Sequence, residues 1–382
     1  MKSKIPGGVI DSVVSKARYP KSVVRRLNYQ RRKHGCIFWD YPLLRSSSRV
    51  LIVFDKEYAE AITTDDVLFA KASEYWKNRE TSNDLYERLL GDSLYFSDGC
   101  HHQKRATDYK QRINSKGVTP RYIRALMSIL AAIEYERGEY SRERLEKDLC
   151  RRFFEDYYNV VLTENSLELV SASIRKAWDS RHKSLECPYR LMKRKSTRLG
   201  RELIDHAKSV LLSELEESQD VPSFKCGASY FALTHKYIVE ESLASSLSVL
   251  AKLAHVTEVA RKYMDSLDGQ SIELVCAEIS NYSPDDSLEE LGQKCPVLMD
   301  YTERAVTMMK PPVELLKRVT VCDTVIAGYD VKRTTEVWIP TWTSRDLVFG
   351  KGIYACKGEV LTKLVTASFI QYLAKRKGSV VS

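Results

Sequence analysis

The sequence predicts a mainly helical chain with small β-sheets, an α+β arrangement folded as one domain over residues 1–382. Three observations carry this. Stretch after stretch in the middle places apolar residues at three- and four-residue intervals. Extended, β-branched runs occur only near the two ends. No internal repeat, low-complexity segment or linker divides the chain, and a composition of 43% hydrophobic and 29% charged residues suits a sizeable core.

The first extended segment is 49–54, RVLIVF. Helical spacing then begins at 121–138, with Ile123, Leu126, Met127, Ile129, Leu130 and Ile133, and continues in 145–161 and 198–216. The longest helix is expected over 231–264, where Leu243, Leu247, Leu250, Leu253 and Val256 fall on neighbouring faces. A second extended segment covers 319–338, with Gly328 at a turn. The last element is a helix after Cys356, marked by Val360, Leu361, Leu364, Val365, Phe369, Tyr372 and Leu373.

Composition excludes several classes. No stretch approaches the roughly 18 uninterrupted apolar residues of a membrane span, so no membrane anchor is expected. The first twenty residues lack the apolar core of a signal peptide, which makes a soluble, cytoplasmic protein the expectation. Nine cysteines without a C-x-x-C pair fit neither a disulfide framework nor a zinc site and suit a reducing compartment. The net charge is +9, with basic runs at Arg25-Arg26, Arg31-Arg32-Lys33 and Lys375-Arg376-Lys377. With no nucleic-acid motif beside them, these runs read as solvated surface and no nucleic-acid partner is expected.

The informative stretch is 349–358, FGKGIYACKG, directly before the last helix. Its glycines permit positive φ and a close approach of the backbone to a flat ligand. A cysteine just before a helix has its thiolate favoured by the dipole and by free N–H groups. The segment resembles the haem-binding loop of the cytochrome P450 family, F-x-x-G-x-x-x-C-x-G, at Phe349, Gly352, Cys356 and Gly358, with Gly350 also matching. The resemblance implies a P450-like fold, haem b (iron protoporphyrin IX) as cofactor and Cys356 as its axial metal ligand. It extends in order along the chain: 49–62 resembles the family's early strand pair and helix, 89–105 the lead into its propionate-binding helix, and 310–330 the segment after its K helix. The resemblance makes His101 and Arg105, four apart on one face, the first reading of a propionate pair, with His102 as the alternative. It makes Arg318 a second propionate ligand. Tyr354 stands where the family carries His or Arg, and Lys351 is a candidate to compensate for the missing charge.

Three departures bear on mechanism. The family's E-x-x-R pair falls on Ala305 and Met308, and the stretch between Gly328 and Phe349 is too short for the family's meander. The long helix replaces the family's acid–alcohol pair with Glu240 and Glu241, followed by Ser242. Either acid is a candidate for proton transfer near the iron, with Ser242 as a source of the hydroxyl; the alternative is that Glu240 pairs with Lys236 on the outside of the helix.

The resemblance therefore implies a haem-thiolate oxidoreductase, a monooxygenase or related oxidation catalyst, acting on a small or carrier-bound organic substrate in specialised biosynthesis. A separate ferredoxin or flavodoxin would dock on the basic residues Arg345, Lys351, Lys357 and Lys363. Two other readings stay open: an enzyme that uses peroxide or performs a non-redox rearrangement or dehydration, and a non-catalytic interaction module.

Overall fold

Both ends of the chain contribute strands to one sheet. A computed structural model describes residues 4–381 apart from 20–21, 42–48, 72–84, 92, 114–117, 136–141, 159, 184–189, 219–222, 227–228, 233, 284 and 309–314. Helices α1 (Val9–Arg18) and α2 (Val23–His34) lead into β1 (Ile37–Asp40), β2 (Val50–Val53), α3 (Lys56–Thr64) and the short β3 (Phe69–Ala70). The middle comprises α4 (Leu85–Leu90), α5 (Gly99–Ile113), α6 (Val118–Tyr135), α7 (Arg142–Phe153), a π-helical turn (Phe154–Tyr158), α8 (Glu164–Lys183) and α9 (Arg190–Ser218). A hairpin of β4 (Ser223–Cys226) and β5 (Ser229–Ala232) precedes α10 (His235–Ser266). The chain continues through α11 (Gly269–Ile279), α12 (Leu288–Lys294) and α13 (Pro296–Met308) to β6 (Leu315–Thr320), β7 (Thr324–Ile326), β8 (Tyr329–Val331) and β9 (Glu336–Pro340). Short 3-10 turns then lead to α14 (Glu359–Val381). The result is mainly helical with small sheets, as the periodicity predicts.

The main sheet has the order β1-β2-β9-β6-β3. β2 pairs parallel with β9, Leu51 opposite Val337, and β9 pairs antiparallel with β6, placing Arg318 opposite Val337. Alternation along β2 sends Val50 and Ile52 to one face, with Leu27, Phe38 and Phe54, and Leu51 and Val53 to the other, with Ile62, Val337 and Ile339. Because both faces are covered, the strand reads as a continuous apolar run. Burial of each such side chain contributes roughly 1.5–3 kcal/mol. The turn foreseen at Gly328 joins β7 to β8, with Ala327 and Gly328 both at positive φ (51° and 79°) in a two-residue hairpin loop.

Two helices differ from expectation. The long helix starts at His235 rather than 231, because Phe231 is taken into β5 opposite Phe224 and the Thr234 side chain caps the new start by accepting from the Tyr237 N–H. The helix expected over 145–161 leaves α geometry after Phe153 and ends in the π-helical turn, with Val161 exposed. Helix α14 is buried along most of its length and packs against α6, α10, α11 and α13. Among the described residues, no helix is long and apolar enough to cross a membrane.

Candidate cofactor site

The loop before α14 is built on its glycines. Gly350 and Gly352 adopt φ of 70° and 69°, a region that only glycine enters freely. At Gly352 a Cβ would also stand 3.0 Å from Thr64 Cα, so the loop packs directly on the end of α3. The Cys356 N–H donates to the Phe349 carbonyl at 2.7 Å, closing the loop, and Phe349 packs on the edge of the helical core. The heavy atom nearest a Cβ built on Gly358 is Cys356 Sγ at 3.7 Å, so this glycine keeps the space beside the sulfur free. Cys356 is exposed and lies three residues before the first turn of α14.

Beside the loop, Tyr354 stands at the centre of a charged cluster. Its buried hydroxyl donates to Asp98 Oδ1, and burial together with the Asp98 charge raises its pKa. The Arg318 guanidinium lies 5.0 Å from the centre of the Tyr354 ring, and Lys71 Nζ 5.1 Å from it. Arg318 is only 3% exposed; Nη1 donates to the Lys317 carbonyl at 2.9 Å, while Nε has no partner among the described residues. Burial lowers its pKa to about 10. Lys71 Nζ donates to the carbonyls of Leu94 and Tyr95, each at 3.3 Å, and burial plus the Arg318 charge lower its pKa to about 7. A buried guanidinium with an unsatisfied nitrogen is costly unless an anion approaches it. The donor set, two cations and a phenol around one carboxylate, fits a cofactor carboxylate, and with the thiol nearby it fits haem.

The structure separates the two histidines. His101 is exposed on the solvent face of α5, and His102 shares the buried face with Ala106 and Tyr109. His102 Nε2 lies 3.1 Å from the Ile353 carbonyl, and its ring meets the Tyr354 ring edge-on at 4.8 Å. A carbonyl only accepts, so Nε2 carries the proton and Nδ1, 3.2 Å from Ser97 Oγ, is the acceptor. Burial and the Lys71 charge lower the His102 pKa to about 3, leaving the ring neutral. Arg105 follows His102 at i+3, and its guanidinium stacks 4.7 Å over the Tyr237 ring of α10.

Along α10 the two acids part. Glu240 accepts from Lys208 Nζ of α9 at 2.8 Å and is 3% exposed. It lies so close to Gly91 that a Cβ there would stand 2.1 Å from Glu240 Oε1. Glu240 is thus held inside the fold between α9 and α10 rather than turned to solvent. Glu241 turns to the segment before α5, where its Oε2 accepts from the Leu94 N–H at 2.6 Å and its Oε1 from Ser245 Oγ at 3.4 Å. Burial raises its pKa against the opposing pull of the Leu94 N–H and Arg105. The Leu94 carbonyl receives Lys71, so one residue links Glu241 to the Tyr354 pocket. Ser242 is 0% exposed, and its hydroxyl has no partner among the described residues.

Other expectations change as well. Lys351 pairs with Glu60 at 3.0 Å and so does not compensate at Tyr354. Lys363, 13% exposed, bridges Glu303 at 2.6 Å and Glu359 at 2.8 Å, which removes it from the expected basic docking face. Lys357 reaches back to the Ile353 carbonyl at 3.4 Å, and the Arg345 side chain lies outside the described residues. Ala305 is buried, whereas the Met308 side chain and residues 310–314 lie outside the described residues. The Glu303–Lys363 pair ties α13 to α14. Lys71, Asp98 and Lys208 were not foreseen. For Lys71, the sole sequence signal was a lone lysine directly after a short strand.

No family model matches the sequence, and no curated protein matches it. The fold is nevertheless that of the cytochrome P450s. Over nearly its whole length the chain superposes on solved structures of that family at 12–15% identity. They include cytochrome P450EX alpha (CYP152N1) with myristic acid, at 15% identity and a TM-score of 0.65, covering 97% of this chain and 90% of that one. A variant of cytochrome P450 OleT in complex with arachidonic acid matches at 12% and 0.66, covering 98% and 91%. P450BioI in complex with hexadec-9Z-enoic acid ligated acyl carrier protein matches at 13% and 0.63, covering 96% and 93%.

Proposed function

We propose that this chain is a haem-thiolate oxidoreductase whose cofactor, haem b, is ligated by Cys356. The observation that carries the proposal is the meeting, beside the Cys356 loop, of two basic side chains, Arg318 and Lys71, around Tyr354, with Arg318 Nε unpartnered among the described residues. Arg318 and Lys71 would receive the propionates, with the Tyr354 hydroxyl as a third donor after exchange from Asp98. His102 orients the pocket by holding Ile353 and Tyr354, and Arg105 acts on Glu241 instead. Phe349, Gly350, Gly352 and Gly358 shape the loop and keep space around the sulfur.

When bound, haem supplies thiolate-supported oxidation chemistry. The residues of α10 supply proton control. Glu241, whose pKa burial raises, is the group that would take up and pass on a proton, with Ser245 and the Leu94 N–H fixing the carboxyl. Glu240, committed to Lys208, anchors α10 and does not take part. Ser242, on the same turn, carries a buried hydroxyl with no partner among the described residues. A second reading, chemistry with peroxide or without net oxidation, is favoured by one feature: a carboxyl at 241 in place of the family's alcohol. The engagement of Lys351 and Lys363 in ion pairs leaves less basic surface for a ferredoxin or flavodoxin, which also supports this reading.

A small or carrier-bound acyl-type substrate in specialised biosynthesis is the substrate class we propose, supported by the fatty-acid and acyl-carrier complexes of structures with the same fold. The test is haem content. Protein produced with ample haem and its Cys356→Ser variant are compared by pyridine haemochromogen and Soret spectra. Loss of the thiolate-type spectrum in the folded variant supports the proposal. Haem-free wild-type protein, with Cys356→Ser indistinguishable from it, would establish a non-catalytic relative.

A further inference from the structure

The net charge of the molecule is concentrated at its start. Of the 60 Lys and Arg and 51 Asp and Glu, residues 1–34 hold ten and one, and the rest of the chain holds fifty of each. The described part of this surplus lies mainly on α1 and α2. Asp11, the lone acid, is taken up by Lys33 and by His34 at 3.2 Å, and Arg26 is buried against Asp40 at 3.1 Å. Arg18, Arg25, Arg31 and Arg32 stay exposed, and Arg25 and Arg32 form no ion pair among the described residues.

Helix α1 is also inverted relative to an ordinary surface helix. The side chains it buries are Ser12 and Ser15, which join Gln30 and Asp40 in a hydrogen-bonded cluster. Its apolar residues face outward: Ile10 is 79% exposed, Val13 43% and Val14 44%. Ile10, Val13, Val14 and Ala17 follow i, i+3, i+4, i+7 and so form one stripe, which Arg18 continues. An open cleft of about 390 Å³, lined by Arg18, Tyr19, Tyr29, Arg32 and Lys33, borders the end of this stripe. Arg18 stacks on both of its tyrosines, at 5.8 and 5.3 Å.

We propose that α1 and α2 form a peripheral binding surface for an anionic lipid bilayer. The apolar stripe of α1 enters the boundary between headgroups and acyl chains, and the exposed arginines meet lipid phosphates and carboxylates. An apolar stripe flanked by cations is the pattern of helices that lie in the interface without spanning it. Two other occupants fit less well. A nucleic-acid backbone offers no apolar surface to cover Ile10, Val13 and Val14. A second copy docked face to face would bring two patches of the same strong positive charge together.

The experiment is co-sedimentation of the full-length protein with vesicles of phosphatidylcholine, alone or mixed with phosphatidylglycerol, at low and high salt. Binding is expected to the mixed vesicles only, and to fall as salt rises. Each exposed arginine replaced, as in Arg25→Gln and Arg32→Gln, should weaken it about fivefold. The triple variant Ile10→Ser, Val13→Ser, Val14→Ser leaves the buried serine face untouched, so its melting temperature should be retained while binding falls at least tenfold. Absence of binding to the mixed vesicles would overturn the proposal. So would undiminished binding by the triple serine variant, which would point to charge alone and a polyanion such as nucleic acid. A concentration-dependent dimer that the serine variant dissolves would also overturn it, in favour of a second copy.

Discussion

His101 and His102 are adjacent in sequence and opposite in exposure, and a step of one residue on a helix turns a side chain by about 100°. Sequence spacing brought Arg105 to His101 at i+4, yet the buried face of α5 runs through His102, Ala106 and Tyr109. With the His102 pKa lowered to about 3 and its unfolded value near 6.5, the unfolded chain binds more protons between these values. The contribution of neutral His102 is complete above pH 6.5 and is lost as pH falls toward 3. The melting temperature of cofactor-free protein should therefore decline on acidification below pH 6.5, and His102→Gln should flatten that decline. Lys71, lowered to about 7, behaves in the opposite sense toward an anionic ligand. Above pH 7 the free site loses its proton, so binding a carboxylate requires proton uptake. Haem affinity should fall with rising pH above about 7, by up to about tenfold per unit, when measured by haem titration at several pH values. Lys71→Arg should remove that dependence, whereas Lys71→Met should weaken binding at neutral pH.

Helix α10 carries adjacent acids that pack against different neighbours. Glu240 is one half of a buried ion pair with Lys208, and removing one partner of such a pair costs about 3–5 kcal/mol. Lys208→Met should accordingly lower thermal stability strongly, as read by calorimetry. Glu241→Gln keeps the shape of the side chain and its contact with Leu94 while removing the acid. Turnover should drop about 10²–10⁴-fold, the usual span of general acid–base catalysis, with the melting temperature little changed. Peroxide-driven and reductant-driven assays run in parallel would tell which chemistry that proton serves. The positions of these acids were legible in the sequence, but their directions were not. Glu240 is decided by Lys208, 32 residues away and on another helix, and by the close approach of Gly91. In the same way the start of α10 was displaced because Phe231 and Phe224 pair in a hairpin, a contact that helical periodicity does not register.

At the scale of the molecule, the two ends of the chain meet, with Leu51 beside Val337, and bring Arg318 and Lys71 to the loop that precedes α14. The loop itself was legible because its information is local: glycines at positive φ, a cysteine and the start of a helix within about ten residues. The helical middle and the end strands were legible from their periods. Lys71 and Asp98 were not, because they join the site only through β3–β6 pairing and the turn before α5. The helix α13, which lacks the E-x-x-R residues, is tied instead to α14 by Glu303 and Lys363. The central claim is that Cys356 supplies a thiolate to haem. Its most direct test is the absorption spectrum of haem-loaded, reduced protein under carbon monoxide. A thiolate-type Soret band that Cys356→Ser abolishes is the expected result; a folded, haem-loaded protein with a histidine-type band, unchanged in Cys356→Ser, would contradict the account.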